Sequence, residues 1–218
     1  MTFSLIGRCA RTGQFGAVAA TSSIAVGARV AHCAAGVGAV LTQHRTDPRL
    51  GPRGLDLLRS GCSAQQTVDA LVASTPHAAW RQIAVLDRTG ASAVFSGART
   101  KPEMSDAAEA DVCAIGNILA NVRVAPAMLA GFQRHPAAPL AERLVQALEA
   151  GLAAGGEIAA LRSAHLVVVE AHSFPLVDLR VDWDDAPVAA LRGLWNRYAP
   201  LAGDFVLRAL DPDNAPVR

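Results

Sequence analysis

Apolar positions along this chain fall in short runs broken by turn residues, the pattern of paired strands with helices grouped between them. Thr2 to Ile6 and Gly16 to Thr21 each read as a strand, and Arg11-Thr12-Gly13-Gln14 between them is a turn signal, so the chain opens with a hairpin. Ile24 to Val30 extends or follows the second strand. Gly36 to Gln43 is a third apolar strand, whose glycines suggest close backbone packing. A polar loop, His44 to Leu50, then ends in Gly51-Pro52 and leads into two helices. Pro52 to Arg59 starts on a first-turn proline and is closed by Gly61. Ala64 to Ala73 has Ser63 as its N-cap and Gln66 at the capping-box position.

A second hairpin, Gln82 to Leu86 and Ser92 to Phe95, flanks Asp87-Arg88-Thr89-Gly90. Val112 to Ile115 is a further strand that ends at Gly116-Asn117. Pro126 to Arg134 and Leu140 to Ala154 read as helices, the second with apolar residues at 140, 144, 145, 148 and 152, and Gly155-Gly156 stops it. Leu166 to Val169 and Leu176 to Val181 form a last strand pair, followed by a helix from Pro187 to Tyr198. The tail beyond Tyr198, rich in Pro, Asp and Asn, is expected to be loosely packed. Strands, two helices, strands, two helices, strands and a helix predict an α+β layered sandwich in a single domain spanning 1–218, not parallel βαβ units.

Composition narrows the function. With 51% hydrophobic and 18% charged residues, the chain can bury a sizeable core and is not disordered. Twenty basic and 19 acidic residues leave a net charge of +1, and the basic ones are scattered, which excludes a nucleic-acid partner. All but one of them are arginine; Lys101 is the single lysine. No apolar run reaches the ~20 residues of a membrane span, and the N-terminus lacks a leader pattern, so a cytoplasmic protein with no membrane partner is expected. Cys9, Cys33, Cys62 and Cys113 lie far apart with no CxxC pair and read as reduced, mostly buried residues. No metal site is expected, and without a glycine-rich phosphate loop no cofactor is either. Much alanine and 5% aromatic content permit tight flat interfaces, so a homo-oligomer is expected.

The first chemical candidate is the N-terminus. A small second residue favours removal of Met1, which would leave Thr2 with a free α-amine at the head of an apolar strand. An α-amine titrates at roughly 7.7–8.0, so one residue would hold both a hydroxyl nucleophile and a base. Ser4 faces the same side of the strand as Thr2. Thr21, Ser22 and Ser23, at the end of the second strand, would lie near Thr2 if the hairpin pairs antiparallel, where they could orient the amine, donate to a bound substrate, or only satisfy strand ends. Gln43, His44 and Arg45 follow the third strand, where an arginine fork suits a carboxylate and His44 could give a proton to a leaving amine. Asn117 could supply an oxyanion donor or merely occupy a turn. His165 and His172 lack metal spacing, and Asp182, Asp184 and Asp185 read as caps for the last helix.

Several ordered blocks resemble a bacterial family known only as domain of unknown function number ten twenty-eight. They are Thr2-Phe3-Ser4-Leu5-Ile6-Gly7-Arg8 with Thr12-Gly13-Gln14-Phe15-Gly16, then Ala35 to Gln43, Pro48 to Leu58, Gly116-Asn117-Ile118-Leu119-Ala120 and Pro139 to Leu144. The likeness runs from Thr2 to about Leu194. It implies the N-terminal-nucleophile (Ntn) hydrolase fold, a four-layer αββα sandwich, in which Thr2 would attack an amide carbon and its own amine would serve as base. The chain departs from the family at Thr21-Ser22-Ser23, where many members have a serine followed by a lysine and an aromatic, so a possible cation near the nucleophile is missing. The expected activity is hydrolysis of a C–N bond, an amide or an enamine or imine with ammonia release, in a small carboxylate-bearing metabolite. The alternatives are a non-catalytic binding or assembly protein on the same scaffold, or a deaminating hydrolase using an internal site around Ser22, His44 and Arg45.

Overall fold

In the computed structural model, which describes residues 1–217, the opening hairpin is β1 (Thr2–Arg8) and β2 (Phe15–Thr21). Next come β3 (Ala31–Ala34), β4 (Gly38–His44), α1 (Leu50–Arg59), α2 (Ala64–Ser74), β5 (Arg81–Asp87) and β6 (Ser92–Ser96). The second half runs β7 (Met104–Glu109), β8 (Val112–Asn117), α3 (Val124–Gln133), α4 (Leu140–Ala153), β9 (Ser163–Val169), β10 (Val177–Val181), α5 (Pro187–Tyr198) and α6 (Ala202–Leu210). The strands make two antiparallel sheets, one ordered β10-β9-β2-β1-β8-β7 and the other β3-β4-β5-β6.

Strand alternation decides what lies between the layers. In β1, Phe3 and Leu5 join the helix-side core with Met128 of α3, Leu144 and Leu148 of α4 and Leu191 of α5. Ile6 points the other way, into a core shared with Ala17 and Ala19 of β2, Leu41 of β4, Ala84 of β5 and Ile115 of β8. A third core packs Val40, Ile83 and Val85 of the smaller sheet against Leu50, Leu55 and Leu58 of α1 and Val68 and Leu71 of α2. The two sheets therefore face each other across the middle core, and each carries helices on its other face.

α2 starts where its capping residue dictates. The Ser63 hydroxyl accepts from the Gln66 amide at 3.3 Å while the Gln66 side chain accepts from the Ser63 amide at 2.9 Å, a complete capping box. α4 sits close on the sheet because Gly7 and Gly16 are cross-strand partners. A methyl group at Gly7 would lie 2.7 Å from the Phe132 ring, and one at Gly16 would lie 2.6 Å from Leu144 and 2.8 Å from the Val167 carbonyl oxygen.

Four segments differ from the pattern reading. β3 and β7 are strands the alternation does not announce. Both are edge strands, and neither contains a fully buried residue to give it an apolar rhythm. Ile24 to Val30 is not a strand extension. Ala25 adopts φ 55°, the left-handed region, and a 3-10 turn follows at Val26–Ala28. Beyond Tyr198 the chain forms α6, which buries none of its residues and meets the domain through the Tyr198 and Phe205 rings, 5.3 Å apart. Among the described residues no helix is long and apolar enough to cross a membrane.

The glycine pair yields a test of this packing. Gly16→Ala is expected to cost about 1–3 kcal/mol by overpacking and Leu144→Ala about 2–5 kcal/mol by leaving a cavity. Because the new methyl group would occupy part of that cavity, the double variant should lose less than the two losses added. Urea unfolding of the four proteins measures the coupling; strict additivity would show that α4 does not rest on Gly16.

Candidate active site

Antiparallel pairing brings the start of β1, the ends of β2, β4 and β8 and the start of β5 to one end of the middle core, with Thr2 opposite Asn117 and Gln43 opposite Gln82. The positions of these strand ends that face between the sheets are Thr2, Ser4, Thr21, Gln43, Gln82 and Asn117. All six are buried, so a polar cap closes the apolar core. Buried polar atoms need partners, and here they find one another. Ser4 Oγ donates to Gln43 Oε1 at 2.6 Å, Gln43 Nε2 donates to Gln82 Oε1 at 2.8 Å, and Gln82 Nε2 donates to Ser96 Oγ and the Gly116 carbonyl, both at 3.0 Å. Asn117 Nδ2 donates to the same Gln82 oxygen at 2.9 Å. Asn117 Oδ1 is left buried without a partner.

Hydroxyl groups lie above this cap. Thr2 Oγ1 is 3.4 Å from Thr21 Oγ1, Thr21 Oγ1 is 3.4 Å from Ser23 Oγ, and both threonine hydroxyls donate to the Met1 carbonyl. Beside them is Glu157, in the connection from α4 to β9, fixed by a backbone bridge to Leu119. Its Oε2 accepts from the Ser22 amide at 3.1 Å, and its Oε1 has no partner. Burial pushes the Glu157 carboxyl up to about 7, against the pull of the Ser22 hydrogen bond and the chain-terminal amine. Burial also lowers the Met1 amine, with Glu157 opposing and Arg29 and Arg45 reinforcing the shift. Burial thus favours the neutral form of both the carboxyl and the amine.

A cavity of about 650 Å³ opens over Met1 and Thr2. That is room for a small metabolite. His44 and Ile118, both in its lining, have left-handed backbone, φ 73° and 53°. Such conformations are costly for a β-branched residue and concentrate at functional sites. His44 Nδ1 is 3.0 Å from the Trp80 carbonyl oxygen, its ring stacks on the Trp80 indole at 6.0 Å, and burial lowers its pKa, favouring neutral imidazole. Arg29, Arg45, Arg81, Arg99 and Lys101 complete the wall.

All eight residues singled out from the pattern lie at this end of the molecule. Thr2, His44 and Arg45 line the cavity. Ser4 and Gln43 are fully buried beneath Thr2 and do not line it; their place is in the amide network. Thr21 and Ser22 lie between the Met1–Thr2 peptide and Glu157. Asn117 gives one amide N–H to Gln82, is fully buried and does not line the cavity. Glu157, Gln82, Trp80 and four cations were not anticipated. Gln82 had a readable signal, a polar residue inside an apolar strand. Glu157 had none, following Gly155-Gly156 in a turn. Elsewhere, His165 Nε2 pairs with Asp178 at 3.0 Å, the four cysteines are free, and among the described residues no group of three His, Cys, Asp or Glu side chains could hold a metal.

Residues 2–191 match the model of a family described as a family of unknown function, DUF1028. The chain belongs to the DUF1028 family. A solved structure of a DUF1028 protein, SPO2555 from Silicibacter pomeroyi, is 29% identical and superposes with a TM-score of 0.86 over 94% of this chain and 89% of that one. Anbu, the ancestral beta-subunit from Yersinia bercovieri, is 10% identical with a TM-score of 0.39 over 94% of this chain and 96% of that one. None of the curated proteins matches this DUF1028 chain.

Glu157 makes this site testable by its pH response. The folded carboxyl keeps its proton to about pH 7, whereas an unfolded one releases it near 4.5. Between these values the folded state binds more protons, so its stability falls as pH rises. Glu157→Gln keeps an acceptor for the Ser22 amide and should remove that fall. The stability advantage of the wild type over the variant should then shrink by up to about 3 kcal/mol across the window. Urea titrations at its two ends measure this; parallel pH slopes would mean that Glu157 is ionised throughout.

Proposed function

We propose that this DUF1028 chain is a cofactor-free hydrolase of C–N bonds in a small carboxylate-bearing molecule, with Thr2 as the nucleophile once Met1 is removed. The observation that carries the reading is the position of Thr2. Its hydroxyl lies at the head of β1 on the wall of the cavity, next to Met1, with the buried Glu157 carboxyl acting on the Met1 amine. The arrangement of helices, sheet, sheet and helices, with the candidate nucleophile at the start of β1, supports assigning the layers to the Ntn-type αββα sandwich.

In the proposed reaction Thr2 Oγ1 attacks the substrate carbonyl carbon while its proton passes to the Thr2 α-amine. The tetrahedral intermediate collapses, the C–N bond breaks, and the leaving nitrogen takes that proton. Water then attacks the ester formed on Thr2, releasing the acid and restoring the hydroxyl. We assign the oxyanion to the Thr21 hydroxyl, which loses its Met1 acceptor on processing, and to backbone N–H groups. Asn117 is not given that role because it is fully buried and does not line the cavity. Arg29 donates to Ser23 Oγ at 2.6 Å and supplies positive charge near the amine, in place of the lysine many family members carry in the 21–23 segment. Arg45 takes the substrate carboxylate.

Two measurements test the reading. The intact mass of protein from its host should lack the Met1 residue. Thr2→Ala should lower ammonia release from a responsive amide or amino-acid substrate by at least about a thousandfold, with the melting temperature nearly unchanged. Retained turnover in Thr2→Ala would move the nucleophile to the internal site. Full activity with Met1 still attached would end the N-terminal mechanism.

A further inference from the structure

The Thr2 cavity holds more positive charge than one carboxylate can neutralise. Five of the chain's 20 cationic side chains line it, and none of its 19 acidic ones does, although the whole protein carries only +1. Among the described residues, Arg29, Arg45, Arg99 and Lys101 have no carboxylate within 4.0 Å. Arg81 reaches only Asp47, at 3.9 Å, and Asp47 is already gripped by Arg49 through both oxygens at 2.9 and 2.8 Å. Glu157, the carboxyl nearest the amine, is largely hidden from the cavity.

These cations are not equivalent. Arg29 spends its donors on the Ile24 and Ala25 carbonyls and Ser23 Oγ, so it belongs to the wall. Arg81 is the inner cation. Its side chain is only 11% exposed, it donates to the Arg45 carbonyl, and its Nε is buried without a partner. Arg45, Arg99 and Lys101 are exposed and form the rim. The guanidinium carbons of Arg45 and Arg99 lie 5.4 and 5.1 Å from the centre of the same Trp80 ring. The indole thereby keeps two like charges together at the rim, where they would otherwise repel and drift into solvent. Planar forks held in this way favour carboxylate or phosphate oxygens.

We propose that the ligand of this cavity carries at least two anionic groups, one at the inner wall beside Arg81 and the other on the rim formed by Arg45, Arg99 and Lys101. It is a di- or tricarboxylate or a phosphorylated small molecule. The proposal rests on the hydrolase reading only in taking the Thr2 cavity as the substrate site.

Isothermal titration of the full chain with citrate, inorganic pyrophosphate and acetate separates the possibilities. At least one of the two polyanions should bind about tenfold or more tighter than acetate and weaken with added salt, and which of them wins distinguishes carboxylate from phosphate. The Arg99→Met/Lys101→Met variant should lose about tenfold or more of the polyanion affinity while its acetate affinity stays within about twofold. Both side chains are exposed, and an unchanged melting temperature confirms the fold. Failure of both polyanions to outbind acetate, or an unaltered polyanion affinity in the variant, overturns the proposal. The same titration on Thr2→Ala keeps the two readings apart. Polyanion preference persists there even if Thr2 proves not to be the nucleophile, and it disappears from the wild type if only the charge argument is wrong.

Discussion

The structure depends on a constraint at one end of its middle core: six polar side chains buried between two sheets must satisfy one another. Each hydrogen bond contributes a net ~1 kcal/mol, but stranding a buried partner costs about 1–3 kcal/mol, so the Ser4–Gln43–Gln82–Asn117 chain resists partial disruption. Its members come from β1, β4, β5 and β8, two strands of each sheet. The network therefore fixes how the sheets are stacked at the end where Thr2 emerges. An apolar plug would close the core equally well and contribute more by burial, but it would offer the Thr2 carbonyl no side-chain donor. Gln43 Nε2 lies 3.4 Å from the Thr2 carbonyl oxygen, so the amide layer also seats the residue above it.

Electrostatics divide the site into two zones. Below and beside Thr2, burial favours the neutral forms of the Glu157 carboxyl and the terminal amine. Outside, five cations ring the opening, and among the described residues only Arg81 has a carboxylate within 4.0 Å. A proton is thus easily exchanged near the hydroxyl, while negative charge is favoured a few ångströms away. This asymmetry arises because Glu157 is buried in the connection from α4 to β9, whereas Arg45, Arg99 and Lys101 come from loops in contact with water.

What could be read from the chain follows the same division. β1, β2, β4, β5, β8 and β9 were visible because interior strands must be apolar, and α2 and α4 because a capping box and a leucine stripe mark them. β3 and β7 were not, since an edge strand such as Met104–Glu109 buries too little to need a pattern. Thr2 and Thr21 could be grouped in advance because an antiparallel hairpin brings their strand ends together, whereas Gln43 and Asn117 could be read only as polar residues at the ends of other strands. Trp80, Arg99, Lys101 and Glu157 lie in connections whose position is set by the packing of distant elements. Lys101 stood out as the lone lysine, but nothing in its neighbours located it at the mouth of a cavity.

The same geometry bears on why a threonine terminus would suit this position. Loss of Met1 moves the amine inward by one residue, about 3.3 Å along the strand. That shift would carry it from a half-exposed methionine to a buried threonine already ringed by the Thr21 and Ser23 hydroxyls and backed by the amide layer. Deeper burial favours the neutral amine, the form able to accept a proton, whereas Glu157 favours the ammonium when ionised. Because Glu157 itself titrates near neutrality, this opposing term is weakest when the carboxyl holds its own proton. On the proposed reading the carboxyl thereby tunes the base without contacting the substrate, and the amine can receive the Thr2 hydroxyl proton and return it to the leaving nitrogen within one turnover.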